Sequence, residues 1–256
     1  MTVPGPRVSM EPYLKPEPVE YAPDGIPLLY EDENEGDMGE VSWHTDAMHI
    51  LHICLASHLA ARPELRVFAN LNLYYRKKPL HPRTGSRPYV SPDIMVVAPS
   101  WPLGPHEEVT SYTIGADGSA PLLTMEILSR RSAQQRDKTA KSKLYARLGV
   151  QEYFLVDTTG RFLRERLQVR RLRPNGTWAR ERDADGGVTS RLLGFRVVID
   201  LDNRLRVLDA ATGLKYSRPD EIANELRARQ AAEARIHALE EELARLKAKG
   251  RKRKGS

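Results

Sequence analysis

The period of the apolar positions changes several times along the chain, and each change marks an element. From Ser42 to about Ala61, the residues Met48, Leu51, Leu55 and Leu59 recur at helical spacing, with Ser42 as N-cap and Pro63 as stop. The stretch RVFANLNLYY, 66–75, alternates and is rich in β-formers, which predicts a strand. A second strand is expected over PYVSPDIMVVAP, 88–99, and a third over APLLTMEIL, 120–128. A helix should span about 133–148, closed by Gly149 just past its end. EYFLVD, 152–157, is short and apolar throughout, as in a strand covered on both faces. Strand, helix and strand in that order imply a parallel crossover. Alternating segments follow at 167–172, 195–200 and 205–209, separated by turn signals such as RPNG and DNR.

The two ends of the chain read differently. Residues 1–37 are rich in Pro, Gly and acids, lack a period, and are expected to form an irregular lead-in. A main domain is expected over 38–215 and a helix over 219–249, with Pro219, Asp220 and Glu221 suited to its first turn. Ile236, Leu239, Leu243 and Leu246 repeat in 3-4-3 steps, a heptad seam, but Arg229 occupies an earlier seam position. That leaves open a short coiled coil or a helix packed on its own domain, and the seam favours self-association as a homodimer.

Composition narrows the class. Among 256 residues, 40% are hydrophobic and 29% charged, as in a soluble globular protein. No apolar run reaches the roughly 18–20 residues that cross a bilayer, no secretory signal pattern opens the chain, and no membrane partner is expected. The single cysteine, Cys54, rules out an internal disulfide and a cysteine-built zinc site. A cytoplasmic location follows as the expectation. Net charge is +6, with acids concentrated in EDENEGDMGE, 31–40, and bases in a tail at 250–256 that includes Arg251, Lys252, Arg253 and Lys254. This distribution is compatible with nucleic acid without demanding it, and charge alone favours a solubilising tail.

The candidate chemistry lies where charge interrupts apolar pattern. Glu126 sits inside the strand-like TMEIL, and Asp93 starts the strand DIMVV after Pro92. On the following helix, Asp137, Lys141, Leu144 and Leu148 fall within a stripe roughly 60° wide, with Tyr145 about 40° beyond Lys141. Asp137 and Lys141 are thus an i,i+4 pair on the buried side, read either as a helix-stabilising ion pair or as part of a site. Two carboxylates on neighbouring strands can bind a hard divalent cation through oxygen, and a nearby ammonium can stabilise a phosphoryl group. His44 heads the apolar stripe of the first helix. His58 lies about 21 Å further along the same helix, so its histidines and Cys54 cannot form one metal site.

The ordered block SPDIMVV (91–97) and MEILSRRSAQQRDKTAKSKLYARLGVQEYFLVD (125–157) resembles the Uma-type putative restriction endonuclease family, within the PD-(D/E)-x-K nuclease superfamily. Looser likeness extends through NLNLYY (70–75) and LLGFRVVIDLDNRLRVLDAATG (192–213). The resemblance implies an α/β, restriction-endonuclease-like core: a mixed sheet flanked by helices, with Mg2+ (or Mn2+) near the ends of the central strands and DNA as substrate. By position, Asp93 and Glu126 would be metal ligands and Lys141 the catalytic lysine. The superfamily lysine, expected two residues after the glutamate, is here Leu128, and Lys141 on the helix takes its place. Glu40 and His44 match the family's E-x-x-x-H. A nuclease fold that binds nucleic acid without cleaving it, or that serves as an assembly module through its last helix, is the alternative.

Overall fold

The structure, a computed structural model, describes residues 19–29, 42–81, 85–100, 108–129 and 136–254, and for 136, 137, 242 and 244–254 the backbone alone. A short hairpin, β1 (Glu20–Tyr21) with β2 (Pro27–Leu28), precedes helix α1 (Ser42–His58). Six strands then form the main sheet: β3 (Arg66–Ala69), β6 (Ile94–Val97), β8 (Leu123–Ile127), β9 (Glu152–Val156), β10 (Leu167–Leu172) and β11 (Trp178–Glu181), in the order β11-β10-β9-β8-β6-β3. Only β8 and β9 run parallel; the other neighbours are antiparallel. The parallel pair is the crossover expected from strand, helix and strand.

That crossover helix has an unexpected first turn. Arg136–Lys141 is π-helical, and only Ser142–Leu148 continues as α-helix, α2. Gly149 closes it in the left-handed conformation, φ 86°, which glycine adopts without steric cost.

The long segments 66–75 and 88–99 are not single strands. Each breaks in the middle and feeds two sheets. Asn70 turns left-handed (φ 49°) between β3 and β4 (Asn72–Tyr74), and Ser91-Pro92-Asp93 separates β5 (Tyr89–Val90) from β6. β4 and β5 join β7 (Ser111–Thr113) in a three-stranded sheet of order β5-β4-β7. A third sheet, β12 (Val188–Thr189), β13 (Phe195–Ile199) and β14 (Leu205–Asp209), is antiparallel throughout.

The main sheet is covered on both faces, which explains why β6, β8 and β9 are buried along their whole lengths. On one face, Ala47, Ile50, Leu51 and Leu55 of α1 and Phe195 and Val197 of β13 pack on Ile94, Met125, Ile127 and Phe154. On the other, Leu144 and Tyr145 of α2 and Leu73, Val90 and Tyr112 of the three-stranded sheet pack on Met95, Val97 and Leu155. Helix α3 (Pro219–Lys254) is exposed along its described side chains from Asn224 onward. No helix among the described residues is long and apolar enough to cross a membrane.

Candidate active site

Alternation along β8 sends Leu123, Met125 and Ile127 toward α1, and Thr124 and Glu126 toward α2. The Glu126 carboxylate is therefore deeply buried, at 2% exposure. A buried carboxylate needs partners, and one helix supplies two. Tyr145 donates its hydroxyl to Glu126 Oε1 at 2.6 Å, and Lys141 donates Nζ to Oε2 at 3.0 Å. Lys141 and Tyr145 are four apart, so both reach the same strand position from one helical face.

Asp93 approaches from the neighbouring strand. It lies in the bend just before β6, whose first residue, Ile94, pairs with Met125 of β8. Backbone ties fix the position: Asn70 N donates to the Asp93 carbonyl at 3.1 Å, and Ile127 N donates to Asp93 Oδ2 at 2.5 Å. His44, buried in the first turn of α1, places Nε2 3.3 Å from the same Oδ2. The site thus sits where the ends of β6 and β8 meet the start of α1 and the π-helical turn.

The π-helical turn is held from outside. Arg170 on β10 donates to the Lys138 carbonyl at 3.0 Å and to Ser142 Oγ at 2.6 Å, while Trp178 Nε1 on β11 donates to the Ser142 carbonyl at 2.9 Å. Side-chain donors that take helix carbonyls are an established cause of departure from the i→i+4 ladder. Burial lowers the Arg170 pKa, yet a guanidinium stays charged at any working pH. π-helical turns are frequent at functional sites, and here the turn carries Lys141. Arg170, Ser142 and Trp178 carry no motif that sequence could have flagged, since their role depends on strands far along the chain.

Asp157, last in the EYFLVD run, is a turn clamp. Burial pushes its pKa up, but N–H donors from Leu163, Phe162 and Thr159, with the Thr159 hydroxyl, outweigh that and hold it below the usual carboxylate range. His58 also has a packing role, between Tyr216 Oη (2.7 Å) and the Leu193 carbonyl (2.8 Å). Tyr153 is fully buried, as expected of a core residue.

Glu126, Lys141 and Tyr145 are therefore brought together in one cluster, and Asp93 and His44 in a second, joined to the first through the backbone of Ile127. Glu40 lies outside the described residues, as do the side chains of Asp137, Arg251, Lys252, Arg253 and Lys254; the backbone of these last four belongs to α3.

The Uma2 family, described as "Putative restriction endonuclease", matches residues 38–203. The chain belongs to that family. Uma2 membership covers α1, the main sheet and all five clustered side chains, and it makes this a restriction-endonuclease-like α/β protein. Among solved structures, "a putative nuclease belonging to DUF820" from Anabaena variabilis ATCC 29413 is similar, with 22% identity and a TM-score of 0.40 over 61% of this chain and 76% of that one. No curated protein matches.

The donor set fits a divalent cation of the Mg2+ type. Among the described residues no three His, Cys, Asp or Glu side chains form a metal-binding group. Mg2+, however, binds through one or two carboxylates and keeps several waters. Asp93 and Glu126 supply that number, both as hard oxygen donors.

Proposed function

We propose that the protein is a cytoplasmic, divalent-metal-dependent endonuclease that hydrolyses DNA phosphodiester bonds. The observation that supports this reading is that Ile127 N, the backbone donor next to Glu126, holds Asp93 Oδ2, with Lys141 against the Glu126 carboxylate. Asp93 and Glu126 would hold Mg2+ or Mn2+. When bound, the ion supplies Lewis-acid polarisation of the phosphoryl oxygens and acidifies water. The remaining work falls to the chain. His44 and Ile127 N orient Asp93, and Tyr145 fixes one oxygen of Glu126. Lys141 neutralises the other oxygen until substrate arrives. Its ammonium then donates to a non-bridging phosphate oxygen, where negative charge develops in the transition state.

Plasmid and single-stranded DNA incubated with Mg2+ or Mn2+, with wild type beside Glu126→Gln and Lys141→Ala, test this. Metal-dependent cleavage should disappear in both variants, with removal of the charge-stabilising lysine costing on the order of 100-fold or more. Cleavage that survives Glu126→Gln would sink the assignment. Binding without cleavage by wild type would favour the inactive, binding-only alternative.

The same reading includes self-association through α3 with a second copy of this chain as partner. Ile236, Leu239 and Leu243 are 57%, 51% and 52% exposed, an apolar seam left open by the described residues of the monomer. With Ile236 and Leu243 at a and Leu239 at d, Arg235 falls at g and Glu240 at the following e. A parallel pair sets g against the e′ of the partner, joining Arg235 to a glutamate. An antiparallel pair in the same seam sets e against e′, and Glu240 against its own copy. Charge therefore selects the parallel dimer.

A further inference from the structure

The connection between β4 and β5 is a second basic stretch besides the C-terminal tail. Lys and Arg outnumber Asp and Glu only 40 to 34 overall, yet YYRKKPLHPRTGSRPYVSP, 74–92, holds five Lys/Arg and no carboxylate. Antiparallel pairing of Leu73 with Val90 and Tyr74 with Tyr89 joins the two ends of this arm, and His81 N donates to the Ser86 carbonyl at 2.8 Å. At its base, the Tyr74 and Tyr89 rings lie 5.3 Å apart, and the Arg87 guanidinium sits 4.1 Å above Tyr74. Arg76 pairs with Asp24 of the β1–β2 turn, while Lys77 and Lys78 are exposed.

Both strands of this arm are tied to the candidate catalytic loop. Ser91 donates its hydroxyl to Asn72 Oδ1 at 2.6 Å, and Asn70 N holds the Asp93 carbonyl. Asp93 itself follows β5 by three residues. At about 3.3 Å per extended residue, Lys77 and Lys78 lie at most roughly 20–25 Å from the site. That is several phosphates along one DNA strand, which are spaced about 3.4 Å apart along the helix axis.

We infer that the β4–β5 arm, through Lys77, Lys78 and Arg87, grips the DNA phosphate backbone beside the scissile bond. The placement beside a scissile bond rests on the endonuclease reading; the grip itself does not. Lysines on a flexible stem suit point contacts to phosphate, and a guanidinium stacked on tyrosine is pre-oriented for the same work.

The test is fluorescence anisotropy of a labelled random-sequence duplex, with the full chain in EDTA and salt titrated from low to physiological concentration. Each phosphate that a cationic side chain neutralises steepens the slope of log K against log salt by about 0.9. Lys77→Gln/Lys78→Gln should therefore flatten that slope by about 2, and adding Arg87→Gln should flatten it by about 1 more. Both lysines are exposed, so circular dichroism should show an unchanged fold. An unchanged slope in the triple variant, or a wild type with no affinity for the duplex, would overturn the arm. Cleavage is scored separately on the same proteins with Mg2+. A patch-dependent slope without cleavage would sink the endonuclease reading and support the arm as a binding surface.

Discussion

At the scale of single residues, the site is a buried ion pair with a tyrosine attached. Removing one partner of such a pair leaves an uncompensated buried charge and typically costs about 3–5 kcal/mol. Replacing both with apolar groups of similar size is often neutral or stabilising. Lys141→Met should therefore lower the urea midpoint markedly, because it removes the ammonium that donates to Oε2 of the buried Glu126 carboxylate. Glu126→Leu/Lys141→Met should recover most of that stability and still abolish cleavage. Equal stability of the single and double variants would mean that the pair is not energetically coupled. The opposition of stability and activity also explains the odd composition of TMEIL, since an apolar residue at 126 would serve the strand better.

At the scale of elements, some features could be read directly from the pattern and others could not. β9, β10, β13 and β14 match their expected segments closely, because each is a short run bounded by turn residues. The split of 66–75 and of 88–99 was hidden, because β-forming residues stand on both sides of Asn70 and of Pro92 while the backbone leaves one sheet for another. Likewise, an i→i+5 turn leaves no mark in a 3.6-residue period. Arg170 and Trp178 hold it from strands that sequence spacing does not place beside it. Lys141 and Tyr145 were legible because their 40° offset falls in the helix as it closes the turn.

The root of α3 is an element-scale clamp that acid should release. Arg206 grips both oxygens of Glu221 at 2.6 Å, and fully buried Arg218 pairs with Asp202. The Arg206 hydrogen bonds hold Glu221 at about 2 against an ordinary 4.5, and the Arg218 bond holds Asp202 at about 2 against 3.8. Both folded-state pKa values are depressed. Their contribution is thus complete above about pH 4.5 and disappears as pH falls toward 2. The melting temperature should drop through that window, and Glu221→Gln should make the drop shallower. An identical acid profile in wild type and variant would mean that these carboxylates do not stabilise the root.

At the scale of the whole molecule, α3 is a 36-residue rod of roughly 54 Å, at 1.5 Å per residue, rooted at one end. Intrahelical pairs such as Arg229–Glu233 at 2.9 Å support it, but only by about 0.3–0.5 kcal/mol each. An exposed leucine seam on such a rod is better explained by a partner helix. The proposed parallel dimer would place both main domains at the same end of the coil, related by a two-fold axis. Few clean heptads make the association weak, so sedimentation equilibrium should show a dimer that dissociates on dilution. Leu239→Lys/Leu243→Lys should leave a monomer with an intact fold. Arg235→Glu and Glu240→Arg should each weaken the dimer, and the two together should restore it, because exchanging both signs re-forms the g–e′ pair. Failure of that double exchange to rescue would exclude the parallel register, and a wild type that stays monomeric at every concentration would exclude the coil.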